Sequence, residues 1–401
     1  MSTDAQQNLV RRGFGLKAEV RPVLIADYHS ELVDKIRKQG SKLTIGRLTF
    51  RLAEEFGFCY GVDNALNLAY EAHRNFPDRR IFLVSEILHN PDINRRLSQM
   101  GIRTLDSSLP AADKFAQINR DDVVLIPAFG ATINEYKALE GKGCLVVDTT
   151  CGSVVAVWKR VERYAREGFT AIIHGKAAHE ETRATSSHTL KYEIGKYLIV
   201  LNHEEAERVC DYIVHGGDSQ EFLRMFEQAF SPGFNPDTDL CRVGLANQTT
   251  MLSRESLEIA EMFRQAIELR YGREALADSF RHYDTICNAT QERQDAVVKL
   301  LEEGVDLMII VGGYKSSNTM HLCEISNPYK PTYYIDNADC VISAKRIRHK
   351  LPGQAGEVIT DDWLPESEVI IGLTAGASTP GRIVGEVIER VVNCFAADSQ
   401  Q

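Results

Sequence analysis

The chain has 401 residues, 44% hydrophobic and 25% charged, with a formal net charge of −10. That length allows two to four domains, and that balance excludes disorder and fibrous repeats. An acidic chain has no basic stripe for nucleic acid, and no apolar run reaches the ~18–20 residues of a membrane helix. A soluble globular protein with neither nucleic-acid nor membrane partners is therefore expected.

In chain order, MSTDAQQNLVRRGFG has no apolar h-region and carries Asp4, so no secretory or transit signal is read and a cytoplasmic location is expected. Residues 1–48 read as an added arm. From residue 49 a pattern then runs three times. Its first members are FGFCYGVDNAL, VDTTCGSVVAV and YDTICNATQER, around Cys59, Cys151 and Cys287. A helical stripe follows Cys151 (Val154, Val157, Trp158, Val161, Tyr164) and stops at Gly168. Another follows Cys287 (Val297, Leu300, Leu301) and stops at Gly304, and the Cys-to-Gly distance is the same in both. The short runs FTAIIHG and VDLMIIVGG come next and predict buried parallel strands. The loops His89-Asn90-Pro91, His179-Glu180-Glu181 and Ser316-Ser317-Asn318 follow their cysteines at closely matching distances. A second strand and small-residue loop close each copy: VVLIPAFGAT, VGLANQTT and VIIGLTAGAS.

The expected organisation is an N-terminal arm over 1–48 and α/β copies over 49–150, 151–286 and 287–379, with a C-terminal helix and tail over 380–401. The second copy is longer, and its extra residues near 211–239 read as an insertion over the surface. Loops at the carboxyl ends of parallel strands are where α/β sheets place ligands, so three copies suggest a pseudo-threefold assembly about a common centre.

Nine cysteines, with no C-x-x-C among them, exclude thioredoxin chemistry and zinc ribbons, and an odd, scattered set is no disulfide framework. Other signatures fail too. Neither His179-Glu180 nor His203-Glu204 opens an H-E-x-x-H, and Gly376-Ala377-Ser378-Thr379-Pro380 lacks the closing glycine of a nucleophile elbow. No G-x-G-x-x-G follows a strand, so nicotinamide and flavin have no support. The repeated constellation remains. Three converging thiolates can hold a [4Fe-4S] cluster by three irons and leave the fourth without a protein ligand. The loops add neutral donors at His89, His179, Thr249, Ser316, Ser317, Asn318 and Ser378, and helix N-termini behind them suit a phosphorylated ligand. Glu181 is the carboxylate placed to give a proton. On the residues alone, a [4Fe-4S] hydro-lyase acting on a small anion, or a non-catalytic metal-binding protein, shares the three cysteines.

The segments GFCYGVDNAL, EILHNP, VVDTTC, HGKAAHEE, NQTT, DTICNAT, SSN and TAGAS run from about residue 50 to residue 380. In that order they resemble the 4-hydroxy-3-methylbut-2-enyl diphosphate reductase family. The arm, the insertion and the HGK loop are similar to its cyanobacterial and plastid branch. The resemblance implies a trefoil of three pseudo-symmetric α/β units around a central iron–sulfur cluster, one [4Fe-4S] cluster per chain, held by Cys59, Cys151 and Cys287. It implies a small diphosphate substrate bound by His89, His179, Ser316, Ser317, Asn318 and Ser378. Thr249 and Glu181 would lie at the hydroxymethyl end, with Glu181 the proton source. It also implies a single-electron donor such as ferredoxin, and isopentenyl and dimethylallyl diphosphate as products of the last step of the methylerythritol phosphate pathway. One departure stands out: many bacterial members carry a histidine in an A-H-G loop, whereas this chain reads Ala128-Phe129-Gly130.

Overall fold

Helices Tyr60–Asn75, Gly152–Arg166 and Asn288–Glu302 begin at the residue after Cys59, Cys151 and Cys287 respectively. The structure in which they are seen is a computed structural model that describes residues 8–354 and 356–398. Gly168 and Gly304 each stand two residues past a helix end with φ of +74° and +85°, a left-handed turn that glycine takes without a Cβ clash. The apolar runs after them form strands Thr170–His174 and Leu307–Val311, in which every residue is buried.

One compact unit gathers the chain up to Arg11 with Asp78–Ile87 and Ile102–Cys287. It holds two parallel sheets. The first runs, edge to edge, Leu9–Val10, Leu145–Asp148, Val123–Ile126, Ile81–Leu83 and Ile102–Thr104. The second runs Phe280–His282, Val243–Asn247, Thr170–His174 and Lys196–Val200.

The other compact unit is Arg12–Pro77, Leu88–Gly101 and the chain from Asn288 onward. Its sheet runs Glu357–Asp361, Arg346–Lys350, Thr332–Ile335, Leu307–Val311, Val369–Ala375, Leu48–Leu52 and Lys42–Ile45. The four strands from Thr332–Ile335 to Leu48–Leu52 are parallel, and antiparallel strands extend both sides. Three sheets built around parallel strands are the α/β architecture that the repeated pattern requires.

The strand before each cysteine occupies an equivalent place. Leu145–Asp148, before Cys151, pairs with Val123–Ile126, and Phe280–His282, before Cys287, pairs with Val243–Asn247. Leu48–Leu52, before Cys59, pairs with Val369–Ala375 near the far end of the chain. The third sheet is thus completed by the strand that leads into the first copy.

Two further expectations change in detail. Of the N-terminal arm, residues 1–7 lie outside the described residues, as do 399–401 of the C-terminal tail. The rest of the arm is built into the fold. Helix Lys17–Tyr28 meets helix Tyr60–Asn75 where Tyr70 Oη donates to Asp27 Oδ2 at 2.6 Å, and Arg382 Nε donates to the Asp27 carbonyl at 2.8 Å. The segment near 211–239 does not simply lie over the surface. Phe222, Phe226 and Phe234 are buried in the core of the second sheet, beside Leu198, Val209 and Leu240. Aromatic residues at an i, i+4 spacing on a short helix need such a face.

Candidate active site

The polar loops that follow the first strand of each copy are helix N-termini. Asn90 caps helix Pro91–Gln99, His179 caps Glu180–Thr189 and Ser316 caps Ser317–Ser326. Each cap leaves backbone amides of the first turn pointing outward, the usual setting for an anion.

In the first compact unit a continuous line of contacts joins the expected residues. The Cys151 amide donates to the Ala128 carbonyl at 3.0 Å. The next residue, Phe129, lays its ring edge-to-face on His179, with centroids 5.4 Å apart. His179 Nδ1 accepts from the Glu181 amide at 3.1 Å, which leaves the proton of a neutral ring on Nε2. The Glu181 side chain, only 1% exposed, takes the Thr249 amide on Oε1 at 2.6 Å and the Thr249 hydroxyl on Oε2 at 3.1 Å. The Thr249 carbonyl in turn accepts from the Cys287 amide at 3.3 Å. Glu180, one residue earlier, is half-buried.

In the second compact unit the remaining expected residues converge. The Cys59 amide donates to the Ala377 carbonyl at 3.3 Å, and the Ala377 amide donates to Asn318 Oδ1 at 2.9 Å. Asn90 Nδ2 donates to the Ser378 carbonyl at 3.0 Å. A Cβ on Gly313 would lie 2.2 Å from the His89 carbonyl oxygen, so only glycine lets the His89 loop approach so closely. Gly376 is equally tight, its virtual Cβ 1.9 Å from Thr319 Oγ1. Ser316, Ser317, Asn318, Ser378 and His89 are all buried. Ser378 Oγ and Asn318 Nδ2 are buried without a hydrogen-bond partner among the described residues, which marks them as donors for a bound group.

The three cysteines therefore have equivalent local backbone settings. Each amide donates to the carbonyl that precedes Phe129, Thr250 or Ser378, the matching positions of the three small-residue loops. All three thiols are half-buried. Among the other six, burial pushes the Cys144 thiol up to about 11, Cys210 and Cys323 up to about 12, and Cys340 upward as well. Those thiols stay protonated, and that of Cys340 donates to Asp336 Oδ1 at 3.4 Å. The family resemblance already put Glu181 and Thr249 at one end of the substrate, but their direct hydrogen bonds, and the glycine cradles at 313 and 376, had no signal in the sequence beyond the small-residue character of the loops.

These features define an α/β protein whose parallel-strand ends carry thiols and neutral donors suited to an anion. Residues 50–392 match the LytB protein family, and the chain belongs to that family. It is 51% identical over 389 residues to the 4-hydroxy-3-methylbut-2-enyl diphosphate reductase of Gloeobacter violaceus, covering 96% of this chain and 92% of the relative. It is 47% identical to the protein of the same name from Thermosynechococcus vestitus, covering 97% and 96%. Among solved structures, a (E)-4-hydroxy-3-methyl-but-2-enyl diphosphate reductase described as the terminal enzyme of the non-mevalonate pathway superposes with a TM-score of 0.52 at 28% identity, covering 86% of this chain and 99% of its own. The E-1-hydroxy-2-methyl-but-2-enyl-4-diphosphate reductase from Plasmodium falciparum shares the fold, with a TM-score of 0.61 at 20% identity over 85% of this chain and 86% of its own.

Proposed function

We propose that this chain is the iron–sulfur reductase that converts (E)-4-hydroxy-3-methylbut-2-enyl diphosphate to isopentenyl and dimethylallyl diphosphate, closing the methylerythritol phosphate pathway. The reading is supported by the same backbone hydrogen bond at each of Cys59, Cys151 and Cys287, from the cysteine amide to a small-residue loop. The donor set fits a [4Fe-4S] cluster, one per chain, with a thiolate for each of three irons and no fourth protein ligand. When bound, the cluster supplies two electrons, one at a time, drawn from a single-electron donor such as ferredoxin.

The chain's own residues do the rest. The N-termini capped by Asn90, His179 and Ser316 offer amides and the positive ends of helix dipoles to the diphosphate. His89, His179, Ser316, Ser317, Asn318 and Ser378 add neutral donors, so an acidic protein binds an anion without an arginine clamp. Glu181 holds the proton for the departing hydroxyl oxygen, and Thr249 fixes the carboxyl through both oxygens at the hydroxymethyl end. The hydroxyl leaves as water, and a second proton delivered to either end of the allylic unit gives one product or the other. Among the described residues no helix is long and apolar enough to cross a membrane, and the cytoplasm, with its one-electron carriers, is the proposed location.

The test is turnover of the diphosphate by anaerobically purified protein, with and without a one-electron reductant. The reading expects both isoprenoid diphosphates in the presence of reductant only. Consumption of the diphosphate without reductant, to a dehydrated or hydrated diphosphate at the same oxidation level, would make the chain a hydro-lyase instead.

A further inference from the structure

Arg293 lies on helix Asn288–Glu302, six residues after Cys287, and is 3% exposed. Its Nη1 donates to the Ala289 carbonyl at 2.7 Å, back toward the helix N-terminus, and its Nη2 donates to the Gly57 carbonyl at 2.7 Å. Among the described residues, the buried Nε has no hydrogen-bond partner and no carboxylate pairs with the guanidinium. This is a costly arrangement. A guanidinium stays charged at any physiological pH, a buried cation without an anion is strongly unfavourable, and the positive end of a helix makes it worse. Gly57 has a φ of +82° and opens the turn Gly57-Phe58-Cys59. Its carbonyl is thus the point where the buried charge meets the segment that presents Cys59.

A second arginine supports the same turn in a different way. Arg37 donates to the Phe56 carbonyl at 3.2 Å and lies 4.2 Å from the centre of the Phe56 ring, but its side chain is exposed. Solvent reaches that guanidinium, although partial desolvation and the like charge of Arg293 both lower its pKa. The two residues make similar hydrogen bonds to adjacent carbonyls, and burial is what separates them.

We propose that Arg293 is the positioning residue for Cys59 and the buried counter-charge of the thiolate-held group, so that it sets how readily that group accepts an electron. The inference rests on the cluster assigned above. A cluster held by three thiolates gains one negative charge on reduction, and potentials of such groups follow net charge, hydrogen bonding and solvent exposure. A fixed buried cation beside a ligand-bearing turn favours the reduced form. Removing that charge lowers the midpoint potential, and moving it to lysine preserves it.

The experiment is a redox titration of the anaerobically purified holoprotein, followed by the electron-spin signal of the reduced cluster, with iron and sulfide content measured alongside. Arg293→Gln is expected to shift the oxidised-to-reduced ratio at least tenfold toward the oxidised form, which is about 59 mV for a one-electron step. Arg293→Lys and Arg37→Gln should stay within threefold of the unaltered protein. If Arg293→Gln fails to retain iron, the comparison moves to loading: full iron in Arg293→Lys with little in Arg293→Gln or Arg293→Met supports the charge requirement. An unmoved potential in a fully loaded Arg293→Gln, or equal losses in the Lys and Gln variants, would overturn it. A failure of the cluster assignment itself appears separately, as absent iron in the unaltered protein.

Discussion

At Glu181, burial and two bonds from Thr249 fix both carboxyl oxygens. Glu181→Gln keeps the shape and an acceptor for the Thr249 amide, and its NH2 can donate to the Thr249 hydroxyl oxygen, but it has no acidic proton to give. With a strong artificial reductant, turnover should fall by ~10²–10⁴ while iron content and KM hold. Glu180→Gln, at a half-buried position, should cost less than tenfold; the reverse ranking would move the acid to Glu180. Phe129 supports the same cluster from the side through its edge-to-face contact with His179. Such pairs contribute about 0.5–1.5 kcal/mol, so Phe129→Ala should raise KM by about two- to tenfold, whereas Phe129→His keeps an aromatic edge and adds a donor. A loss beyond tenfold for Phe129→His with intact iron would give the phenyl ring a role beyond packing. The identities of these residues were legible in the sequence because the loops recur. Their bonding was not: the Glu181–Thr249 pair joins two loops distant along the chain, and no local pattern encodes it.

At the level of elements, the helices after the cysteines and the strands after Gly168 and Gly304 were readable from period and composition, since local chemistry decides them. Hairpin extensions were not. In Arg346–Lys350 fully buried residues alternate with less buried ones, and in Glu357–Asp361 half-buried with exposed ones, as in an antiparallel edge, but nothing in their composition names the strand they join. The aromatic spacing of Phe222 and Phe226 was visible, and only the tertiary core turns it from a surface insertion into packing. The junction between the TAGAS loop and helix Ser317–Ser326 depends on Gly376, where a methyl group would meet Thr319 Oγ1. Gly376→Ala should therefore destabilise the fold by about 1–3 kcal/mol in denaturant unfolding. Gly376→Ala combined with Thr319→Ala should recover part of that loss. Additive losses in the double variant would show that the clash is not the cause.

For the whole molecule, the repeat predicts more than three copies of a motif. The strand before Cys59 completes the third sheet, as the strands before Cys151 and Cys287 complete the first and second, so the pattern closes on itself. A threefold recurrence was legible because each copy must place a cysteine, a helix and two loops at fixed spacings. The closure was not, because it pairs Leu48–Leu52, near the start of the chain, with Val369–Ala375, near its end. The account stands on three of the nine cysteines acting as one set. The direct test is iron per chain after anaerobic purification of nine single Cys→Ser variants. The account predicts loss of iron in Cys59→Ser, Cys151→Ser and Cys287→Ser. It predicts about four irons per chain in the variants at 144, 210, 241, 323, 340 and 394, with at most a packing cost. Full iron in Cys287→Ser, or its loss in any of those six that still folds, would contradict it.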